Sequence, residues 1–457
     1  MQRATDILFF WAAWIILPLL VEIIPSIGNF FVLVRKKIRL TLHPIKDLGF
    51  KPSITLIIPV YNSGGTLYRC IESIYLSTYP VECIEVLLVD NGSKDNSFDE
   101  FQRAQIDFPD LGMWWIYSNQ GKSKALNKAI YNSNGKYIMN IDSDGILQQD
   151  ALYNMVKQFE AQPDVDCMAG VILIEPALIE KTKGFTKRMF RRMEFMEYAQ
   201  AFLAGRNFES EHNSMYTLAG AFSAFRKSLL VNTYLYNTNT ICEDTHISFQ
   251  VRDVLKRKMR LCPNAIFMVD PIENLNKFYT QRQRWQIGEL EVANMFMKNK
   301  MKNPLIGFFT STPMRLIILD HTFAFPRMIW YFALFAVGCI NYNFSNVIKA
   351  NILIYALYVL VAFLYFCNVT SFLDEFKDLQ KYYMRNIICI LFMPLYNLFS
   401  FFVRFAGIIN SIKRKSSWKT KTFTEEMEEC SNIVTNDWTW IYAIRRYVIG
   451  LLEVSEG

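Results

Sequence analysis

The sequence predicts an α/β domain with a mixed, mostly parallel sheet, flanked by transmembrane helices. Two observations support this fold class. Between about residues 51 and 271, short apolar runs alternate with segments of helical periodicity. Hydrophobic residues make up 52% of the 457 residues, and the excess is concentrated in long apolar runs near the two ends. We therefore expect an ordinary globular domain attached to membrane segments.

Within the α/β region, the apolar runs predict strands that end at polar residues. We expect strands at 54–59, 84–89, 113–117 and 137–141, with helices at 64–76 and 123–131. Short connections between alternating strands and helices are typical of a parallel sheet covered on both faces. Such sheets bind ligands at the carboxyl ends of their strands. Asp90 and Asp142 each follow a predicted strand directly.

The stretch at 136–145, KYIMNIDSDG, is the most informative part of the chain. Its apolar run ends in Asp142 and Asp144, which are separated by Ser143 and followed by Gly145. Two hard carboxylates at a sheet edge suit a divalent cation that bridges a phosphorylated substrate. The alternative is turn chemistry alone, because Asp, Ser and Gly are all favoured in turns.

Apolar segments outside the α/β region predict a multi-pass protein of the plasma membrane. Segment 7–34 is too long for a signal-peptide core, and the basic residues at 35–39 place the following domain in the cytoplasm. Segments 323–340, 352–372 and 387–409 are each long enough to span, and Pro394 is expected to break the last. Three spans after the domain put the C-terminus outside, whereas the basic residues at 413–421 favour the inside. Either the Pro394 segment is re-entrant or the positive-inside rule fails here.

These segments divide the chain into four predicted parts. Residues 1–41 form a transmembrane helix with a basic flank, and 42–300 form the cytoplasmic catalytic domain. Residues 301–412 hold an interfacial helix at 304–319 and the later spans, and 413–457 form a basic, then amphipathic tail. Three further helices are expected at 185–206, 243–257 and 281–296. The first is either an ordinary surface helix packed on the sheet or an interfacial one.

Charge and cysteine content argue against nucleic-acid binding and against a metal site built from cysteines. The net charge is +7, and the densest basic clusters lie beside apolar segments, so membrane lipid explains them better than nucleic acid does. The nine cysteines show no metal-type spacing. We expect them to be reduced residues that contribute to packing.

Five elements with chemical potential occur in one order along the chain. They are IPVYN at 58–62, VDNGSKD at 89–95, GKSKALN at 121–127 followed by DSD at 142–144, GAF at 220–222 followed by CED at 242–244, and QRQRW at 281–285. In this order they resemble family 2 glycosyltransferases of the GT-A fold. The resemblance is to the membrane-integrated type that includes cellulose, chitin, hyaluronan and poly-N-acetylglucosamine synthases. QRQRWQIGELE and the tail also resemble, more weakly, the exosortase-associated glycosyltransferases of Gram-positive bacteria.

The resemblance implies a pocket for the nucleotide of a UDP-sugar donor. Asp90 would accept a hydrogen bond from the uracil N–H, and Tyr61 would line the same pocket with Pro59 and Asn62. The alternative for Asp90 is a structural role, in which its side chain only stabilises an Asx turn. Lys122 is a point charge suited to phosphate, unless it is only a solvated lysine at a helix start. From the last motif, Gln281 and the donor fork of Arg284 would bind the diphosphate.

The resemblance also assigns a metal and a general base. Asp142 would hold ribose or metal, and Asp144 would ligate Mg²⁺ or Mn²⁺; two carboxylates suit Mg²⁺, which retains water ligands. Asp244, with Glu243 beside it, would accept the proton of the acceptor hydroxyl, which implies single displacement with inversion. The family motif is Thr-Glu-Asp, so Cys242 departs from it. The alternative for both acids is a favourable charge at a helix start.

The acceptor would contact Gly220 and Phe222 and stack on Trp285. On a bare helix the same segment would be an interfacial anchor, a role that remains open for Arg282. The Phe-x-Val-Thr gating loop of cellulose synthases is missing from the sequence.

Three functions follow from this reading. The first is polysaccharide synthesis from a UDP-sugar, coupled to export through a channel to which a second copy or a secretion partner contributes. The second is transfer of a single sugar to a lipid-linked or surface glycan. The third is nucleotide-sugar binding without catalysis in a secretion assembly. The sequence does not identify the sugar.

Overall fold

The computed structural model describes residues 19–297, 344–413, 421–429 and 431. The strands are β1 (Ile54–Val60), β2 (Ile84–Asp90), β3 (Gly112–Tyr117), β4 (Tyr137–Ile141), β5 (Gly145–Leu147), β6 (Val165–Ile174), β7 (Phe222–Arg226) and β8 (Lys258–Val269). The α-helices up to the end of β7 are α1 (Ile24–Leu42), α2 (Leu67–Tyr75), α3 (Ser97–Asp107), α4 (Lys122–Asn132), α5 (Ala151–Ala161), α6 (Pro176–Glu180), α7 (Phe185–Tyr198) and α8 (Arg206–Glu211). The later ones are α9 (Lys227–Leu230), α10 (Glu243–Phe249), α11 (Leu275–Met297), α12 (Phe344–Phe372), α13 (Lys377–Arg385) and α14 (Met393–Lys413).

The strands form one mixed sheet in the order β3-β2-β1-β4-β7-β6-β8-β5. The first four strands pair in parallel, as do β6 and β8, whereas β7 is antiparallel to both of its neighbours and β5 is antiparallel to β8. Every residue of β1 and β4 is buried, which explains why both read as continuous apolar runs. The predicted α/β class and the predicted strands are confirmed, with boundaries that differ by a residue.

The helices predicted at 64–76, 123–131, 185–206, 243–257 and 281–296 are present, and those at 185–206 and 243–257 each contain a π-helical turn. The helix at 185–206 continues beyond Tyr198 as the π-helical turn Ala199–Gly205 before α8 begins. Phe195 and Met196 are fully buried and α7 packs against β6, so the packed alternative holds for this half of the helix rather than the interfacial one. The helix expected at 243–257 likewise ends as the π-helical turn Gln250–Val254.

The membrane predictions have mixed outcomes. In the described part of the chain, one helix, Val347–Phe372, is long and apolar enough to cross a bilayer, which agrees with the span predicted at 352–372. The segment at 387–409 is not one helix: a 3₁₀ turn, Ile387–Leu391, precedes α14. Pro394 lies in the first turn of α14, where a backbone N–H would have no acceptor within the helix, so proline does not interrupt the helix there. The predicted span at 7–34 lies partly outside the described residues. The predicted interfacial helix at 304–319, the predicted span at 323–340 and the amphipathic part of the tail, residues 438–452, lie wholly outside them.

The apolar helices are attached to the sheet domain at two places. Helix α1 packs on α12 and α8, and the buried Lys36 ammonium donates to Asn207 Oδ1 at 2.6 Å and pairs with Glu211. Helix α14 packs along α11. The cysteines in the described residues are free, as expected from their spacing.

The close packing of Gly145 generates a stability prediction. A Cβ at this position would lie 2.4 Å from the Phe267 ring and 2.6 Å from the Met268 carbonyl oxygen. Gly145→Ala should therefore lower the free energy of unfolding by about 1–3 kcal/mol, because neither neighbour can move freely. Thermal unfolding of the detergent-purified protein measures this. Gly65→Ala, where no atom lies within 4 Å of the added Cβ, is the matched control, and an equal loss in both variants contradicts the prediction.

Candidate active site

A cavity of about 2270 Å³ opens at the carboxyl ends of β1 and β4 and continues between α11, α12 and α14. Most of the residues selected from the sequence line it, although they are up to 226 positions apart in the chain, from 59 to 285. These are Pro59, Tyr61, Asn62, Lys122, Asp142, Asp144, Gly220, Glu243, Asp244, Gln281, Arg284 and Trp285. The fold therefore brings the first and the last motif together at one site.

Two of the selected residues do not reach the cavity. Asp90 is buried at the end of β2, and its Oδ1 accepts the backbone N–H of Ser93 at 2.9 Å, which is the Asx-turn alternative. Its neighbour Asn91 lines the cavity instead. Phe222 is fully buried and packs towards Phe267 in the core, so its expected contact with an acceptor is corrected.

The Asp142–Ser143–Asp144 turn is held from two sides. Ser143 Oγ lies 2.7 Å from Ser63 Oγ, and Thr66 Oγ1 donates to the Ser143 carbonyl at 2.9 Å. On the other side, the backbone N–H of Asp142 donates to the Ala221 carbonyl at 3.2 Å. The loop after β1 and the segment before β7 thus fix the turn, which presents both carboxylates to the cavity.

Lys122, at the start of α4, is the central cation of the site. Its Nζ lies 2.5 Å from Asp142 Oδ1 and 3.6 Å from Glu243 Oε1, and it donates to the Gly220 carbonyl at 3.3 Å. Burial lowers the pKa of the ammonium, but the charges of Asp142 and Glu243 outweigh this and raise the pKa above its ordinary value. Lys122 therefore stays charged.

Asp144 provides the test of whether a metal fits. Its side chain is exposed within the cavity, yet partial desolvation by the surrounding protein, followed by the charge of Asp142, raises its pKa to about 6. A divalent cation would relieve this excess of negative charge. Among the described residues no group of three or more His, Cys, Asp or Glu converges as a metal site. The protein thus offers two carboxylates, which fits an ion that keeps water and takes substrate oxygens.

Glu243 and Asp244 begin α10 and also line the cavity. Burial, then the charge of Asp244, raises the pKa of Glu243 against the lowering effect of Lys122. Asp244 Oδ1 accepts the backbone N–H of Thr245 at 2.7 Å. Its Oδ2 points towards Gly220, where an added Cβ would lie only 2.9 Å away. A glycine at position 220 is therefore needed to leave room beside this carboxylate.

Cys242, the departure from the family motif, packs against α11. Its Sγ lies 3.8 Å from the Arg284 carbonyl oxygen, and an added Cβ on Gly288 would lie 2.1 Å from the sulfur. Burial raises the pKa of the thiol. Cys242 is thus a packing residue that sets the approach of α10 to α11.

Helix α11 carries the last motif. The Trp285 side chain is 37% exposed and borders the cavity, with the rings of Tyr198 and Phe202 centred 6.5 and 6.4 Å away. Arg282 is only 4% exposed and forms an ion pair with Glu197, so the interfacial-anchor role left open for it is wrong.

One wall of the cavity, formed by α7, the π-helical turn and the start of α8, was not expected from the sequence. Glu197, Tyr198, Phe202 and Arg206 all border the cavity. The available signal was an acidic residue, Glu197, on the apolar side of an amphipathic helix. Beyond Trp285 the cavity continues along residues of α12 and α14, among them Tyr355, Tyr358, Tyr365, Leu398 and Phe401.

Part of the chain is similar to known proteins. Residues 55–231 match the description Glycosyl transferase family 2. The chain is 24% identical to a poly-beta-1,6-N-acetyl-D-glucosamine synthase of Staphylococcus epidermidis over 410 residues, covering 86% of this chain and 92% of the relative. It is also 24% identical to the protein of that name in Staphylococcus aureus strain MSSA476 over 277 residues, covering 60% of this chain and 64% of the relative. That second alignment covers less than two thirds of the relative's length.

Among solved structures, the chain resembles the mannosyltransferase PcManGT from Pyrobaculum calidifontis in complex with GDP-Man and Mn²⁺. The TM-score is 0.53 at 18% identity, covering 80% of this chain and 96% of that one. At this identity the likeness concerns the fold. Together with the sheet topology, it shows the GT-A fold expected from the sequence, and the family 2 match covers residues 55–231 of this fold.

Proposed function

We propose that this protein is a membrane-embedded, inverting glycosyltransferase that extends a polysaccharide from a UDP-sugar, with its catalytic domain in the cytoplasm. The observation that carries the proposal is the cavity itself. It joins Lys122, the Asp142–Asp144 turn, Asp244 and Trp285 and continues along the membrane-length helix α12. The names of the Staphylococcus relatives favour UDP-N-acetylglucosamine as the donor.

The donor would lie across the carboxyl ends of β1 and β4. Tyr61 is half exposed and, with Pro59 and Asn62, borders the region proposed for the nucleotide. Lys122 and Arg284, which both line the cavity, would supply positive charge to the diphosphate. When bound, Mg²⁺ or Mn²⁺ held by Asp144 and Asp142 would neutralise charge on the leaving diphosphate.

The acceptor would approach from the side of α11. Trp285 offers an apolar ring face to a sugar, and Asp244 on α10 lines the same cavity with one oxygen towards Gly220. That oxygen would take the proton from the acceptor hydroxyl as the new glycosidic bond forms. A single displacement with one base inverts the configuration at the anomeric carbon.

Purified protein in lipid nanodiscs, supplied with UDP-N-acetylglucosamine, UDP-glucose or UDP-galactose and with Mg²⁺ or Mn²⁺, tests the proposal. We expect UDP release together with a product of high mass from one of these donors. A single-sugar lipid product would instead support one-step transfer. Donor binding without turnover would support a non-catalytic role in a secretion assembly. The mass of the purified particle shows whether a second copy contributes.

The position of Asp244 generates a prediction about catalysis. Asp244→Asn should reduce turnover by about 10²–10⁴-fold, because the amide cannot accept the acceptor proton. Donor binding, measured by calorimetry with UDP, should change little. Asp164→Asn, at an exposed ion pair with Lys258, is the control and should retain full activity. Near-normal turnover in Asp244→Asn would remove this residue as the base.

The exposed carboxylate of Asp144 generates a prediction about the metal. Asp144→Ala should weaken Mn²⁺-dependent UDP binding at least about tenfold. Loss of a residue that only supports a metal ligand already lowers metal affinity by about this factor, and loss of the ligand itself should lower it at least as much. Titration of UDP with and without Mn²⁺ measures this. Asp110→Ala, at an exposed position in the turn before β3, serves as the control. An unchanged metal requirement in Asp144→Ala would count against the ligand role.

A further inference from the structure

Arg282 occupies an unusual position for a charged residue. It is almost fully buried on α11, and its guanidinium carbon lies 4.5 Å from the ring centre of Trp285, 5.0 Å from that of Phe278 and 5.6 Å from that of Tyr198. Burial lowers the pKa of Arg282, but the charge of Glu197 outweighs this and keeps the pKa above its ordinary value. A permanent cation is therefore enclosed by aromatic rings.

Glu197 holds this cation in place from a different helix. Its Oε2 pairs with Arg282 Nη2 and also accepts the hydroxyl of Tyr396 at 2.8 Å. The network thus ties together α7, α11 and α14. A second carboxyl, Glu194, is completely buried nearby, and burial, opposed by the charge of Arg282, raises its pKa to about 7.

Stability alone does not explain this arrangement. A buried ion pair loses so much solvation that apolar side chains of similar size are often as stabilising. What apolar side chains do not supply is a cation over an indole face, which attracts the ring and fixes its orientation. Arg282 precedes Trp285 by three positions, so both lie on one face of α11.

We propose that Arg282, held by Glu197, is a positioning residue that fixes the Trp285 ring for binding of the acceptor sugar. One face of the indole is covered by the guanidinium, and the rings of Tyr198 and Phe202 are centred 6.5 and 6.4 Å from it. The remaining surface borders the cavity, where it is available to a sugar. The inference rests on the proposed function, because it takes Trp285 as the acceptor platform.

Kinetics with a short β-1,6-linked N-acetylglucosamine oligosaccharide as primer test the positioning role. In Arg282→Met, the KM for the primer should rise about tenfold, as expected from loss of a desolvated cation–π contact, whereas the KM for UDP-N-acetylglucosamine should change less than about twofold. In a Trp285→Phe background, the same substitution should have little further effect. Arg192→Met is the matched control, because Arg192 on α7 pairs with Glu180 away from the cavity.

The double variant E197Q/R282M separates positioning from simple structural support. Removing both charges should restore thermal stability relative to the single variants, because no unpaired charge remains buried. The primer KM should nevertheless stay about tenfold high, because no cation covers the indole. Recovery of the primer KM in the double variant would overturn the proposal.

A measurement that does not depend on turnover covers the case in which the donor is misassigned. ¹⁹F NMR of protein labelled with 5-fluorotryptophan, with Trp285→Phe used for assignment, reports on the Trp285 ring. Arg282→Met and E197Q/R282M should shift or broaden this resonance, and Arg192→Met should not. An unchanged Trp285 resonance refutes positioning by Arg282. Absence of transfer by the wild type, with these shifts present, contradicts the proposed function alone.

Discussion

The arrangement of the site depends on one cation among several carboxylates. Lys122 lies between Asp142 and Glu243, which approach it from β4 and α10 at 2.5 and 3.6 Å. Asp144 and Asp244 border the same cavity, so without the ammonium four negative side chains would repel each other across a partly desolvated space. Lys122 also binds the carbonyl of Gly220. One side chain thus stabilises the approach of the proposed donor half of the cavity to its proposed acceptor half.

The sheet topology explains why these two halves meet. Because β7 runs antiparallel between β4 and β6, the segment that enters β7 lies beside the end of β4, and Gly220 arrives next to Asp142. The family match ends at residue 231, before Asp244 and Trp285. The recognised domain therefore supplies the carboxylate turn and Lys122, whereas α10 and α11 supply the proposed base and the aromatic platform. Helix α11 packs along α14, which places that platform beside the apolar helices α12 and α14.

Much of the site could be predicted from sequence because its motifs lie where strands and helices begin or end. The turn at 142–144 and the start of α4 need only local patterns, and their side chains reach the cavity. Asp90 and Phe222 do not border the cavity, and strand position alone does not show which way a side chain points. Asp90 accepts a hydrogen bond within its own turn, and Phe222 faces the core. The burial of Arg282 could not be predicted for another reason. Its partner, Glu197, is 85 residues away, and no local pattern reveals a buried pair of that separation.

The contact between Gly288 and Cys242 has a consequence for the size of the sugar that fits. Because Gly288 has no side chain, the Cys242 sulfur packs directly against the backbone of α11. Any side chain at position 288 would push α10 and α11 apart. Trp285 lies one turn before Gly288 on α11, and Asp244 lies two residues after Cys242. This contact therefore acts as a spacer between platform and carboxylate. In the proposed reaction, the width available to one sugar unit would therefore depend on this non-bonded contact between the two helices.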